Sequence, residues 1–141
     1  MRVFFWLLLG LVLTVSSRAV ESNLHYSAKT LRLELIHNVQ GQLAAFREED
    51  FKKALTFAAK RLREQYDATS FATLVKQGYP VIAKNGSAEF GLSKDDGDIA
   101  ILVVTVVAKD GKRVDYNYGF IRESEAWKIA AVLIDKAKNE I

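Results

Sequence analysis

From Ile36 onward, apolar residues return every three or four positions. Ile36, Val39, Leu43 and Phe46 form one stripe, the mark of an amphipathic helix. That helix is expected to begin between Leu24 and Thr30. Gly41 falls inside it, where glycine costs roughly 1 kcal/mol relative to alanine, so a close packing contact is expected there. Asp50 reads as the N-cap of a second helix. Its apolar face is Ala54, Leu55, Ala58 and Leu62, and it runs towards Tyr66. Asp67 to Ser70 break the pattern, and Ser70 is expected to cap a short third helix carrying Phe71, Leu74 and Val75. Gly78 ends that helix as a left-handed C-cap, and Pro80 pushes Tyr79 out of helical geometry. Gly78-Tyr79-Pro80 is therefore expected to be a structural hinge into the second half.

Beyond the hinge the period changes from about 3.6 to 2. Ala88, Phe90 and Leu92 alternate with Ser87, Glu89 and Ser93. Ile99 to Val107 is a β-branched run, Val114 to Phe120 alternates again, and Trp127 to Ile134 is the last strand. Asp95-Asp96-Gly97, Lys109-Asp110-Gly111 and Glu123-Ser124-Glu125 are turns. Short turns between consecutive strands require antiparallel pairing, because parallel strands need long crossovers. The fold class is α+β, with N-terminal helices packed on a curved four-stranded antiparallel sheet. Two strands are apolar on both sides. In the first, Ile101, Val103 and Val107 oppose Leu102, Val104 and Val106. In the last, Ile129 and Leu133 oppose Val132 and Ile134. A sheet covered on one face shows cleaner alternation, so the second face is expected to be covered too, by the chain segment from Val20 to Lys29 or by a partner.

The start of the chain follows neither period. Met1-Arg2 is followed by an apolar run from Val3 to Val15, rich in Leu and Phe, then Ser16-Ser17-Arg18-Ala19. A basic start, an apolar stretch and small residues before a cut describe a secretory signal. Cleavage is expected after Ala19, with Ser17 the alternative. The run is short for a membrane span, which needs about 20 residues. The division is a signal peptide over 1–19, or an uncleaved anchor, and one α+β domain over 20–141. The expected location is periplasmic or secreted, the alternative being anchorage to the inner membrane by residues 3–15.

Composition narrows the chemistry. The 141 residues include no cysteine, which removes disulfides, thiolate metal sites and a cysteine nucleophile. The net charge of +3 includes Arg2 and Arg18, and without them 18 basic residues face 17 acidic ones. So balanced a domain, with Lys60, Arg61 and Arg63 followed at once by Glu64, is not expected to bind nucleic acid. His25 and His37 are twelve positions apart, about 120° around one helix, so no metal site is expected. There is no nucleophile elbow and no glycine-rich phosphate loop, and no cofactor is expected.

Val39-Gln40-Gly41-Gln42-Leu43-Ala44-Ala45-Phe46, then Asp50 and Ala54, Phe57-Ala58-Ala59, Phe71 with Val75, and Gly78-Tyr79-Pro80 resemble a bacterial domain-of-unknown-function family numbered 4864. Trp127-Lys128-Ile129 fits its last strand. The resemblance covers about residues 36 to 134. It implies a nuclear transport factor 2-like, or cystatin-like, cone in which helices pack into a curved sheet. It also implies export or membrane association, but no activity and no catalytic residues.

Acid–base chemistry in the mouth of such a cone needs a carboxylate tuned by an apolar pocket and a hydroxyl donor. Tyr79, Tyr116 and Tyr118 are the candidate donors, and Asp98 and Asp115 the candidate carboxylates. The first reading is nonetheless non-catalytic: an exported module that binds a small ligand or a protein partner. The alternative is an isomerase- or dehydratase-type enzyme using those tyrosines and an aspartate. A homodimer through the sheet face is the expected assembly, and a membrane partner follows only if the N-terminal segment stays uncleaved.

Overall fold

A computed structural model describes residues 23–135. The segment read as a secretion signal lies outside the described residues. The elements in chain order are β1 (His25–Tyr26), α1 (Lys29–Arg47), α2 (Phe51–Thr56), α3 (Lys60–Gln65), α4 (Ala68–Gly78), α5 (Pro80–Ala83), β2 (Asn85–Asp95), β3 (Ile99–Ala108), β4 (Arg113–Glu123) and β5 (Ala126–Ile134). The strands form one antiparallel sheet in the order β1-β2-β3-β4-β5. There are five strands rather than the expected four. The extra one has two residues, too few to show any period, and it exists because His25 pairs with Asp95 and Tyr26 with Lys94.

Alternation along β3 sets the layers. Ala100, Leu102, Val104, Val106 and Ala108 are buried, while the intervening residues are half-buried. The buried row joins Tyr116, Tyr118 and Phe120 of β4 beneath α1, α4 and α5 in one core. Long β-branched side chains suit the pleated surface, and the hairpin turns are allowed by glycines with positive φ at Gly97 and Gly111. α1 lays Leu35, Ile36, Val39, Leu43 and Phe46 on that core. A Cβ at Gly41 would sit 2.6 Å from Phe57 ring carbons, which is the close contact its place in the helix implied.

The second helix is two helices. α2 stops at Thr56, and residues 57–59 run beside β5. The Ile129 N–H donates to the Phe57 carbonyl (2.9 Å) and the Ala59 N–H to the Ile129 carbonyl (2.8 Å). Two sheet bonds to the β5 edge outweigh helix continuation there, and α3 starts afresh at Lys60. Asp50 does cap α2, accepting from the Lys53 N–H at 3.0 Å.

Two further expectations are corrected. Asp67 caps α4, not Ser70. The Asp67 carboxylate accepts from the Ser70 N–H (2.8 Å) while the Ser70 hydroxyl accepts from the Asp67 N–H (3.0 Å), a reciprocal capping box. The Ser70 N–H, with the Ser70 hydroxyl donating to the same carboxylate at 2.9 Å, holds the Asp67 carboxyl below its usual range. Gly78 has no positive φ and is the last residue of α4, so it is not a left-handed cap. The chain turns at Tyr79 instead, with Pro80 opening α5, a position that suits its fixed φ.

β5 carries one residue more than β4 between the Phe120–Ile129 and Gly119–Ala131 pairs. This bulge brings Val132, paired with buried Tyr118, to the helix side together with Ile129. The expected opposition of Ile129 to Val132 is therefore corrected. Bulges of this kind re-aim side chains next to sites, and this one forms the floor of the pocket described next.

Candidate functional site

The pocket lies between the helices and the bulged end of β5. Phe46 of α1, Leu62 of α3, Phe71, Leu74 and Val75 of α4, and Ile82 of α5 form its helical walls. Ile129 to Val132 form the floor, and the internal volume is about 90 Å³. At the bulge the small Ala130 and the backbone of Ala131 leave space that larger residues would fill.

Two polar side chains line it, and both are engaged. The Gln42 amide donates to the Ala54 carbonyl at 3.2 Å, and the Tyr79 hydroxyl donates to the Val132 carbonyl at 3.0 Å. No carboxylate lines the pocket among the described residues. Buried groups with satisfied hydrogen bonds hold the walls in place and offer a guest little polar recognition.

Three of the five candidate residues come together. The Tyr79 and Tyr116 rings lie 6.4 Å apart, and Tyr116 meets Tyr118 edge-on at 6.3 Å. Burial pushes the Tyr116 hydroxyl up to about 12, with Tyr79 adding to the effect. Burial likewise raises Tyr79 and, further still, Tyr118. All three stay protonated at neutral pH and are suited to donating hydrogen bonds rather than to abstracting protons. The Tyr118 hydroxyl is fully buried with no hydrogen-bond partner.

The two aspartates are elsewhere. Asp98 is exposed in the β2–β3 turn, where its N–H donates to the Asp96 carboxylate at 2.9 Å. Asp115 accepts from the Thr105 hydroxyl and sits on the sheet face opposite Tyr116 and Tyr118, because neighbours in a strand point to opposite sides. The structure thus does not bring a candidate carboxylate to the tyrosines. Residue alternation could have separated Asp115 from Tyr116, since they are adjacent in β4. What the sequence reading missed is the pocket wall itself, as Leu62 and Ala130–Val132 looked like ordinary core.

No group of three or more metal-ligating side chains occurs among the described residues. None of their helices is long and apolar enough to cross a membrane.

An α+β cone whose sheet cradles a carbon-lined pocket is the class of protein that fold and site define. Residues 28–141 match the model of the domain of unknown function DUF4864, and the chain belongs to that family. No curated protein matches it. Among solved structures it is similar to an NTF-2 like protein of unknown function from Shewanella oneidensis, at 16% identity over 70% of this chain and 93% of that one, with a TM-score of 0.48. It is similar also to a Campylobacter jejuni protein described as an NTF2-like transpeptidase, at 10% identity over 67% and 96% of the two chains, TM-score 0.49. A third is a SEC-C motif containing protein from Rhodopseudomonas palustris, at 12% identity over 63% and 69%, TM-score 0.45.

Proposed function

We propose that this protein is an exported, non-catalytic binding module that holds a small apolar group, such as an acyl chain end or a ring, in the pocket between α4 and β5. The observation that carries the reading is the wall chemistry. Carbon surfaces surround the space, and both polar side chains that line it are spent on backbone carbonyls. Apolar pockets with few polar groups favour binding by burial, whereas proton transfer needs a tuned carboxylate within reach of the guest. Export rests on the pattern from Met1 to Ala19. Mass spectrometry of the protein from its native host checks it, and an intact N-terminus would replace cleavage by anchorage.

The binding test is a titration with Nile red. Saturable, blue-shifted fluorescence at one dye per chain, displaced by decanoic acid and abolished by Leu74→Trp, is expected. Absence of saturable binding would remove the function.

We propose also that the outer sheet face pairs with a second copy. Ile99, Ile101, Val103 and Val107 lie half-buried there, Leu133 is 41% exposed and Leu92 64%. Gly119 and Ala131 are paired neighbours on that face and let another surface approach closely. Lys94 and Lys128 supply one sign of charge and Glu89 and Asp115 the other, as a two-fold interface requires of a self-complementary patch. Analytical ultracentrifugation of residues 20–141 at micromolar concentration is expected to give a dimer, and a clean monomer would contradict it.

A further inference from the structure

A helix of six residues cannot hold itself together in water, because nucleation costs more than so few hydrogen bonds return. α3 is such a helix, and none of its residues is buried. Leu62 is its one contribution to the pocket wall. On either side the backbone is extended, at Ala59 (φ −60°, ψ 152°) and Tyr66 (φ −121°, ψ 141°). Beyond those points the chain is fixed, on one side by the Ala59 bond to Ile129 and on the other by the capping box of α4. α3 is thus a stiff piece between two anchored pivots.

What holds it down is mainly one carboxylate. Glu123, at the end of β4, accepts from the Lys60 N–H at 2.8 Å through one oxygen. Its other oxygen lies 3.5 Å from the Arg63 guanidinium, which also donates to the Ala58 carbonyl. The Lys60–Glu64 ion pair is internal to α3 and does not tie it to the sheet. With α3 in place the pocket holds about 90 Å³, less than the roughly 150 Å³ of a cavity that admits benzene. A guest of useful size therefore needs a wall to move, and α3 is the wall with the fewest ties.

We propose that α3 is a hinged lid that narrows the mouth of the apolar pocket, latched down by Glu123 through the Lys60 amide and Arg63. The proposal rests on the pocket being a ligand site. Opening swings Leu62 out and widens the mouth of the pocket. Closing returns the latch without a change in the floor of the site. Low-stability segments that open locally are where binding lids are found.

The chain has no cysteine, so one introduced at Val75, a buried pocket residue on α4, reports on lid opening. The full chain carrying Val75→Cys, with and without Glu123→Ala, is treated with N-ethylmaleimide under native conditions. Alkylation is expected to run about tenfold faster without Glu123, the factor that follows from losing a hydrogen bond to a charged group. Val104→Cys, fully buried in β3 and away from the pocket, reports on unfolding of the whole core, and its rate is expected to stay unchanged. Equal rates at Val75→Cys in both backgrounds overturn the lid, as does equal acceleration at Val104→Cys. The assay needs no ligand. Accelerated alkylation in a protein that takes up no Nile red supports the lid and removes the binding function. Dye binding with unaltered alkylation keeps the binding function and removes the lid.

Discussion

A tyrosine with its ring in the core and its hydroxyl unpaired pulls stability in two directions. The ring of Tyr118 is fully buried, which favours folding, while a buried donor left without a partner costs roughly 1–3 kcal/mol. Tyr118→Phe keeps the ring and removes the orphan, so urea melts at neutral pH are expected to show a gain of about 1 kcal/mol. The same burial makes the protein alkali-sensitive. Tyr116 titrates near 12 when folded and near 10 when unfolded, and Tyr118 is raised in the same direction. The unfolded chain loses these protons first, so the tyrosine contribution is complete below pH 10 and falls as pH rises through 10 towards 12. Tyr118→Phe is expected to flatten that fall in melts taken across the range. Gly41 is the converse case, with no side chain where one would collide. Gly41→Ala gains helix propensity but drives a methyl into the Phe57 ring. Overpacking costs about 1–3 kcal/mol, and a net loss is expected, relieved by adding Phe57→Leu. A glycine inside a helical stripe was visible in the sequence. Nothing in the letters distinguished Tyr118 from any half-buried strand tyrosine, because its missing partner is a property of the surrounding fold.

Elements were legible where a period ran long enough. α1, β3 and β4 followed directly from apolar spacing. The break between α2 and α3 did not, because Ala58 and Leu62 continue the helical face even though Phe57 to Ala59 bond to Ile129, some 70 residues away. Sequence-local patterns cannot report a partner that distant. The pocket was hidden for the same reason, as it depends on a bulge that shows only once β5 is paired with β4. The α4 terminus turns on a smaller point. Gly78 has ordinary φ, and a Cβ there would meet nothing within 4 Å. Gly78→Ala is therefore expected to stabilise by roughly 0.4–1 kcal/mol, by restricting the unfolded chain, and chemical denaturation measures it. Asn85 is the side chain that ties elements together. Fully buried, it donates to the Leu43 carbonyl (3.0 Å) and the Ile82 carbonyl (2.8 Å) and accepts from Arg47 (2.7 Å). Asn85→Ala strands those groups at the junction of α1, α5 and β2, and a loss of about 2–4 kcal/mol in the same assay is expected.

At the scale of the molecule, β2 to β5 are joined by consecutive hairpins, β1 returns to the β2 edge from before the helices, and the helices close over the sheet through contacts distant in sequence, such as the Asn38 side chain to the Trp127 carbonyl. Both margins of the sheet carry plugs. On the β5 side, residues 57–59 pair with Ile129 and the Tyr79 hydroxyl takes the Val132 carbonyl. On the β2 side, β1 covers Lys94 and Asp95, and the Arg32 guanidinium takes the carbonyls of Phe90 and Gly91 at 2.9–3.1 Å. Arg32 thereby stands where the next strand of a longer sheet would bond. An unprotected strand margin is a template for another chain, and repeated addition at such a margin builds cross-β fibrils. The Arg32 guanidinium, anchored on the first turn of α1, thus occupies carbonyls at which another strand could add. Arg32→Ala, incubated with shaking, is expected to develop thioflavin T fluorescence while the parent solution stays dark.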